Sequence, residues 1–211
     1  MDRKKYEFTG ETRKLSPKRI LHRIRAVIDI PSADVNAGDI GGWIESDSNL
    51  SHDYDAWVDG DARVYGDAWV YGDAWVGSNA RVYGDAWVSG DAWVGGNARV
   101  VGDARVSGDV RVCGNAWVGG NAWVSGDAWV GGDAHINSNK DFIVIGPIGS
   151  RNGFTTFYKN KDENVCVRCG CFSGTVDEFL AAVQKTHGDN RFGRECRIAA
   201  ELAKAHILEE D

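Results

Sequence analysis

No apolar run in the 211-residue chain approaches the ~20 residues needed to span a bilayer. The first residues are polar and lack the apolar core of a signal peptide, so neither secretion nor a membrane partner is predicted. The five cysteines are odd in number, and Cys166, Cys169 and Cys171 crowd into six positions. This usage is more typical of a reducing compartment than of a disulfide framework. We therefore expect a cytoplasmic protein.

An excess of positive charge is also lacking. The formal net charge is -7 and the isoelectric point is near 5.2. A generic nucleic-acid partner is not predicted, because no global positive field would neutralise phosphates. A local basic stripe remains possible, and basic residues do concentrate before residue 26.

Residues 55–138 repeat a six-residue pattern of Asp or Asn, Ala, a variable residue, Val, a variable residue and Gly. Fourteen units follow one another without insertion, and the exceptions are mild, such as Val110 for Ala and Ile136 for Val. Ala and Val are two positions apart, so a short strand points both inward and the residue between them outward. Gly and the following Asp or Asn supply a corner. Since one unit cannot bury its own apolar face, the units must stack into a solenoid.

This pattern resembles the hexapeptide-repeat proteins, whose fold is a left-handed parallel β-helix with three hexads per coil. The resemblance implies a mainly β protein. We predict an N-terminal β cap over 1–48, the left-handed β-helix over 49–138, and a small α+β domain over 139–211 with about three strands and two helices. Thr175 and Glu178 form a capping box that predicts the start of the first helix, and Gly188 its end.

Three hexads per coil place residues 18 apart in neighbouring strands, so the outward residues form three columns. The tryptophan column is Trp57, Trp75, Trp93, Arg111 and Trp129. The arginine column is Arg63, Arg81, Arg99, Trp117 and His135. The mixed column is Trp69, Trp87, Arg105 and Trp123.

Two interpretations of these columns remain open. In the first, Trp and Arg are large side chains that stack well on a solenoid exterior and were copied by repeat duplication. In the second, they form binding surfaces, because eight outward tryptophans exceed what a monomer usually exposes. Trp and Arg are also enriched at binding hot spots. Stacked arginines about 5 Å apart repel by ~1 kcal/mol in water, which favours an anionic ligand.

The second interpretation assigns residues to two kinds of surface. Arg grips phosphate and aromatic rings stack on bases or sugars, so a nucleotide-like ligand would use Arg63, Arg81, Arg99, Tyr65, Tyr83, Trp69 and Trp87. An interface with a protein partner, or with another copy in a dimer or trimer, would use Trp57, Trp75, Trp93, Trp117, Trp123 and Trp129.

Cysteine and histidine raise two further possibilities. Cys166, Cys169, Cys171 and His187 suggest zinc, but strand alternation puts Cys166 on the opposite face from the other two cysteines, so buried free thiols are favoured and no metal or cofactor is predicted. Many hexapeptide-repeat proteins are acyltransferases with a catalytic histidine and an extruded loop. Here the repeat has no such loop and its only histidine is His135, so no catalytic residue is predicted. Ice-binding β-helices need threonine arrays, and residues 55–138 contain none.

The segments Gly38-Asp39-Ile40-Gly41-Gly42-Trp43-Ile44-Glu45, the repeat itself, and Cys169-Gly170-Cys171-Phe172-Ser173-Gly174-Thr175 resemble hexapeptide-repeat proteins carried by bacteriophages and prophages. This resemblance implies a phage context, hence the host cytoplasm, and no particular mechanism.

The preferred hypothesis is a non-catalytic, homo-oligomeric binding protein. It would use Arg and aromatic surfaces to sequester a host partner or a nucleotide-derived signalling molecule, as an anti-defence protein would. The alternatives are a hexapeptide-type acyltransferase with its site between subunits, and a structural component of a virion or scaffold.

Overall fold

The computed structural model describes residues 4–209 and contains a parallel β-solenoid of about five turns. The N-terminal strands are β1 (Tyr6–Ser16), β2 (Arg19–Ala26) and β3 (Ile40–Ile44). The solenoid strands are β4 (Trp57–Val58), β5 (Arg63–Gly66), β6 (Trp69–Val70), β7 (Trp75–Val76), β8 (Arg81–Gly84), β9 (Trp87–Val88), β10 (Trp93–Val94), β11 (Arg99–Gly102), β12 (Arg105–Ser107), β13 (Arg111–Val112), β14 (Trp117–Val118), β15 (Trp123–Ser125), β16 (Trp129–Val130) and β17 (His135–Ile136). The C-terminal elements are β18 (Phe142–Ile148), β19 (Gly153–Lys159), β20 (Val165–Cys169), β21 (Phe172–Thr175), α1 (Val176–His187) and α2 (Arg191–Leu208).

Each of the solenoid strands β4 to β14 pairs in parallel with the strand three further along the chain. Three sheets result, with the orders β1-β2-β3-β5-β8-β11-β14-β17, β16-β13-β10-β7-β4 and β15-β12-β9-β6. Trp75 pairs with Trp93, and Val76 with Val94, 18 residues along the chain. The alanines and valines of the repeat fill the interior and are essentially inaccessible to water. This burial drives the stacking, because each buried valine contributes about 1.5–3 kcal/mol.

The hydrogen bonds between turns that involve residues flanking the short strands run in one direction, whereas bonds within each parallel ladder run both ways. Trp57 N–H donates to Ala74 O at 2.9 Å, and Trp75 N–H donates to Ala92 O at 2.8 Å. The first turn therefore presents an excess of backbone carbonyls without partners from a preceding turn, and the last turn an excess of unpaired amides. Each end needs a cap of the opposite hydrogen-bonding character.

The carbonyl end is capped by side-chain donors. Asn49 is fully buried, and its Nδ2 donates to Gly66 O at 2.9 Å and Ala68 O at 2.8 Å. Lys5 is also buried, and its Nζ donates to Ala56 O at 2.7 Å. Burial lowers the pKa of Lys5 to about 8, which nearby carboxylates only partly offset.

The amide end is capped by side-chain acceptors. Trp123 N–H donates to Asn139 Oδ1 at 2.7 Å, and Trp129 N–H donates to Thr156 Oγ1 at 2.9 Å. Thr156 lies on β19, so the sheet β18-β19-β20-β21 closes this end of the solenoid. At each end, the capping side chains therefore complement the backbone groups that lack a partner in a neighbouring turn.

β1 and β2 pair in antiparallel fashion, with Tyr6 opposite Ala26 and Phe8 opposite Ile24. Ile20 on β2 is 50% exposed. β3 pairs with β2 only from His22 onward, so Ile20 extends past the solenoid and has no core to pack against.

The C-terminal segment has four strands where about three were predicted. The additional strand β21 follows a tight turn at Gly170, whose φ of +55° suits glycine, and Cys169 pairs with Phe172 across that turn. Two C-terminal helices are present as predicted, and Thr175 and Glu178 form the capping box of α1. Phe157, Val167 and Phe179 belong to the core of this segment. In residues 4–209 no helix is long and apolar enough to cross a membrane.

The opposite character of the two caps predicts that an Asn→Asp substitution destabilises one cap and leaves the other unchanged. In Asn49→Asp a carboxylate oxygen replaces the amide that donates to two carbonyls, so we expect the free energy of unfolding to fall by about 2–4 kcal/mol. In the matched control Asn139→Asp the acceptor for Trp123 N–H is kept, and a change below ~0.5 kcal/mol is expected. Urea unfolding of both variants measures the difference, and equal losses would contradict the assignment.

Candidate ligand-binding surface

The arginine column continues beyond the repeat into the N-terminal strands. Trp43 on β3 pairs with Arg63 on β5, and Arg23 on β2 pairs with Trp43. Arg63 pairs with Arg81, and Arg81 with Arg99. We call Arg23, Trp43, Arg63, Arg81 and Arg99 the extended arginine column. The predicted stacking of Arg63, Arg81 and Arg99 is confirmed, and the sequence did not indicate the two residues that lengthen it.

Trp43 is enclosed by guanidinium groups. The Arg13 Cζ atom lies 4.3 Å from the centroid of the indole ring, and the Arg23 Cζ atom 5.0 Å from it. Such contacts are favourable because the ring face is electronegative. Arg13 also forms an ion pair of 3.2 Å with Asp61, and its hydrogen bond is the main cause of the lowered pKa of that carboxyl.

A second aromatic feature borders the extended arginine column. The rings of Tyr65 and Tyr83 stack in parallel with centroids 4.8 Å apart and an interplanar angle of 4°. Arg19 lies 5.1 Å above the Tyr65 ring and forms an ion pair of 3.4 Å with Glu45. This side of the solenoid therefore combines flat aromatic surfaces with cations.

Among residues 4–209, Arg63, Arg81 and Arg99 form no ion pair with a carboxylate. The Nε atoms of Arg23 and Arg63 are buried without a hydrogen-bond partner in the described chain. Burial, followed by the charges of Arg13 and Arg81, lowers the pKa of Arg63. An anion placed here would relieve the mutual repulsion and satisfy donors.

The corner next to these arginines is less acidic than other corners. Asn79 and Asn97 lie two positions before Arg81 and Arg99, at the corner where most repeat units carry aspartate. Asn97 Nδ2 donates to Asn115 Oδ1 at 3.1 Å, so a ladder of neutral amides runs along this edge. Amides leave the arginine charges less neutralised than carboxylates would.

The predicted ligand-binding residues are divided between two sheets. Tyr65 and Tyr83 lie on the sheet of the arginine column, whereas Trp69 and Trp87 lie on the sheet β15-β12-β9-β6. There Trp69 stacks on Tyr71 at 4.2 Å and contacts Trp87 edge-on at 5.7 Å. The two tryptophans therefore belong to a different outer face from the arginines.

One of the predicted interface tryptophans is buried within the chain, and another contacts the C-terminal sheet. Trp57 is only 1% exposed and belongs to the core shared with the N-terminal segment, so the expectation of an exposed indole is wrong at this position. Trp129 lies between Arg111, at 5.6 Å, and Arg168 of the C-terminal sheet, at 3.9 Å. Trp87, Trp93 and Trp123 are the exposed ones, at 40%, 38% and 54%. Trp75 and Trp117 are half-buried.

At Trp69, Trp75 and Trp93 the residue two positions later determines where the indole lies. Gly77 follows Trp75 and Gly95 follows Trp93, and a Cβ at either glycine would stand 1.9 or 2.5 Å from the indole Cη2 atom. The two indoles therefore fold flat over the glycines and stack in parallel, with centroids 5.3 Å apart. Where Tyr71 follows Trp69, the indole stacks on the tyrosine instead.

The cysteine and histidine candidates do not form a metal centre. In the described part of the chain no group of three His, Cys, Asp or Glu side chains could hold a metal ion, and all five cysteines are free thiols. Cys169, Cys171 and His187 do line a common cavity, whereas Cys166 does not. His135 stacks on Trp117 with centroids 6.0 Å apart.

The comparisons with known proteins agree with the architecture. Residues 62–78, 80–96 and 104–120 match a family model described as the YdcK beta solenoid repeat. No curated protein matches the chain. Together with the sheet topology, the three matches identify a repeat β-solenoid protein.

The contact of the Trp93 indole with Gly95 predicts the effect of a substitution at Gly95, and Gly131 provides the matched control. In Gly95→Ala the new methyl group displaces the indole, so we expect radical footprinting by mass spectrometry to show increased oxidation of Trp93. Loss of its packing lowers stability by about 1 kcal/mol. In Gly131→Ala the new Cβ would meet only Cys113 Sγ at 3.4 Å, an ordinary contact, so Trp129 oxidation stays unchanged. Unaltered Trp93 oxidation in Gly95→Ala would contradict the packing of the indole over Gly95.

Proposed function

We propose that the protein is a non-catalytic binding protein that holds a phosphorylated small molecule on the extended arginine column. The observation that supports this most strongly is the row Arg63, Arg81 and Arg99, stacked in register without ion pairs among the described residues. Like charges about 5 Å apart repel by ~1 kcal/mol per pair. A row of this kind destabilises the unliganded protein, and phosphate oxygens between the guanidinium groups would reverse the effect.

The neighbouring rings favour a nucleotide-like ligand over a bare anion. A base or sugar ring would pack against the parallel pair Tyr65 and Tyr83, while Arg63 and Arg81 on the same strands hold the phosphate. The net charge of -7 disfavours generic binding of long nucleic acids. The ligand class is therefore a small nucleotide-derived molecule.

Further parts of the proposal concern the class of solenoid and the biological setting of the protein. We place the solenoid in the left-handed hexapeptide class, on its six-residue sequence repeat, and the chain among the phage-borne members that it resembles. Its role would be to sequester a nucleotide-derived host signal in the host cytoplasm. Self-association as a homo-oligomer is supported by the exposed indoles of Trp87, Trp93 and Trp123.

Calorimetry with inorganic phosphate, AMP, ADP-ribose and cyclic dinucleotides tests the proposal. We expect at least one nucleotide to bind, and its affinity to fall with ionic strength because the contacts are between charges. Arg81→Gln removes the central guanidinium and should weaken binding about tenfold to a hundredfold, which corresponds to a loss of about 1.5–3 kcal/mol. Sedimentation of the same samples gives the number of chains per ligand.

Arg105→Gln is the matched control. Arg105 occupies the same repeat position on a different face, where it lies 5.2 Å from the Trp87 ring centroid. This variant should bind the ligand as the wild type does. Absence of heat with every nucleotide, or equal losses in the two variants, would remove the arginine column as the binding surface.

A further inference from the structure

A cavity of about 360 Å³ lies in the C-terminal segment, away from the solenoid. It is bounded by the turn between β18 and β19, the turn between β20 and β21, and one side of α1 and α2. The opposite ends of these strands face the solenoid, where Asn160 bridges to Ala134 and Lys161 N–H donates to Asp133 O. The cavity is therefore separate from the extended arginine column.

Most of the lining is apolar. Phe172 and Phe179 contact each other with centroids 5.5 Å apart, and the thiols of Cys169 and Cys196 complete the wall. Phe154 lines the same cavity although it is 42% exposed. A large aromatic side chain at a concave mouth is typical of a site whose occupant covers it.

Arg151 is the one charged residue among the lining residues of the described chain. Arg151 lies at the mouth beside Gly170, where a Cβ would stand 3.8 Å from its Nη1 atom, and His187 adds a second nitrogen-bearing group. No carboxylate is among the lining residues of the described chain, and Arg151 forms no ion pair there. The nearby Glu195 is engaged by Arg191 at 2.6 Å and by Gly149 N–H at 3.1 Å.

Size restricts the occupant further. Ligand cavities span roughly 300–1,000 Å³, so 360 Å³ is at the lower limit. One ring with a short chain fits, whereas a dinucleotide does not. We propose that this cavity binds a small carboxylate with an apolar body, the carboxylate against Arg151 and the body against Phe154, Phe172 and Phe179.

Protection of Cys171 from alkylation by iodoacetamide tests this proposal. Cys171 lines the cavity and is exposed, and Cys113 on the solenoid is an internal reference in the same sample. The probe is 3-phenylpropionate, and 3-phenylpropionamide is the uncharged control ligand. We expect the acid to slow alkylation of Cys171 several-fold and leave Cys113 unaffected. The amide should bind about two- to fivefold more weakly, as expected for one exposed charge pair.

Two variants distinguish the contribution of the Arg151 charge to binding from that of the apolar cavity. Arg151→Gln should abolish the difference between acid and amide, and Ala182→Phe should fill the cavity and abolish protection by both. Thermal melting confirms that each variant is folded, and Arg105→Gln on the solenoid should leave the protection of Cys171 as it is in the wild type. Lack of protection by saturating acid would overturn the proposal. Equal protection by acid and amide would overturn the role of Arg151.

Discussion

The parallel pairing of each strand with the one 18 residues further along the chain is the constraint on which the rest of the structure depends. It buries alanine and valine on the inside, and it orders every remaining side chain on the outside by position in the repeat. Because the hydrogen bonds of the residues flanking the strands point the same way, it also makes the two ends chemically different. Side-chain donors cap one end, at Asn49 and Lys5, and side-chain acceptors cap the other, at Asn139 and Thr156.

The same pairing turns small sequence choices into extended surfaces. One arginine per turn becomes a row of guanidinium groups, and the asparagines beside Arg81 and Arg99 keep that row from being neutralised. A glycine two positions after Trp75 or Trp93 lets the indole fold over the backbone, so the two indoles stack in parallel. Two such surfaces with different chemistry, the basic one and the aromatic one, can thus coexist on one rigid scaffold.

The solenoid, the outward columns and the capping box of α1 follow from local patterns, and the sequence therefore predicts them. The extension of the arginine column to Arg23 does not, because it requires the antiparallel pairing of β2 with β3 and the parallel pairing of β3 with β5. Burial of Trp57 depends on how the N-terminal segment folds back. The C-terminal cavity joins Arg151, Cys171 and His187, which lie far apart in the chain and share no periodic pattern.

The most direct test of the 18-residue stacking is a choice between two cross-links. In Ser107→Cys/Ser125→Cys the new thiols occupy positions that pair in register, within the separation that a disulfide bridges, while native Cys113 lies between them in the chain. After mild oxidation, peptide mass spectrometry should find a link between positions 107 and 125 and none from either to Cys113. Predominant linkage of position 125 to Cys113 would contradict the stacking, and with it every surface described above.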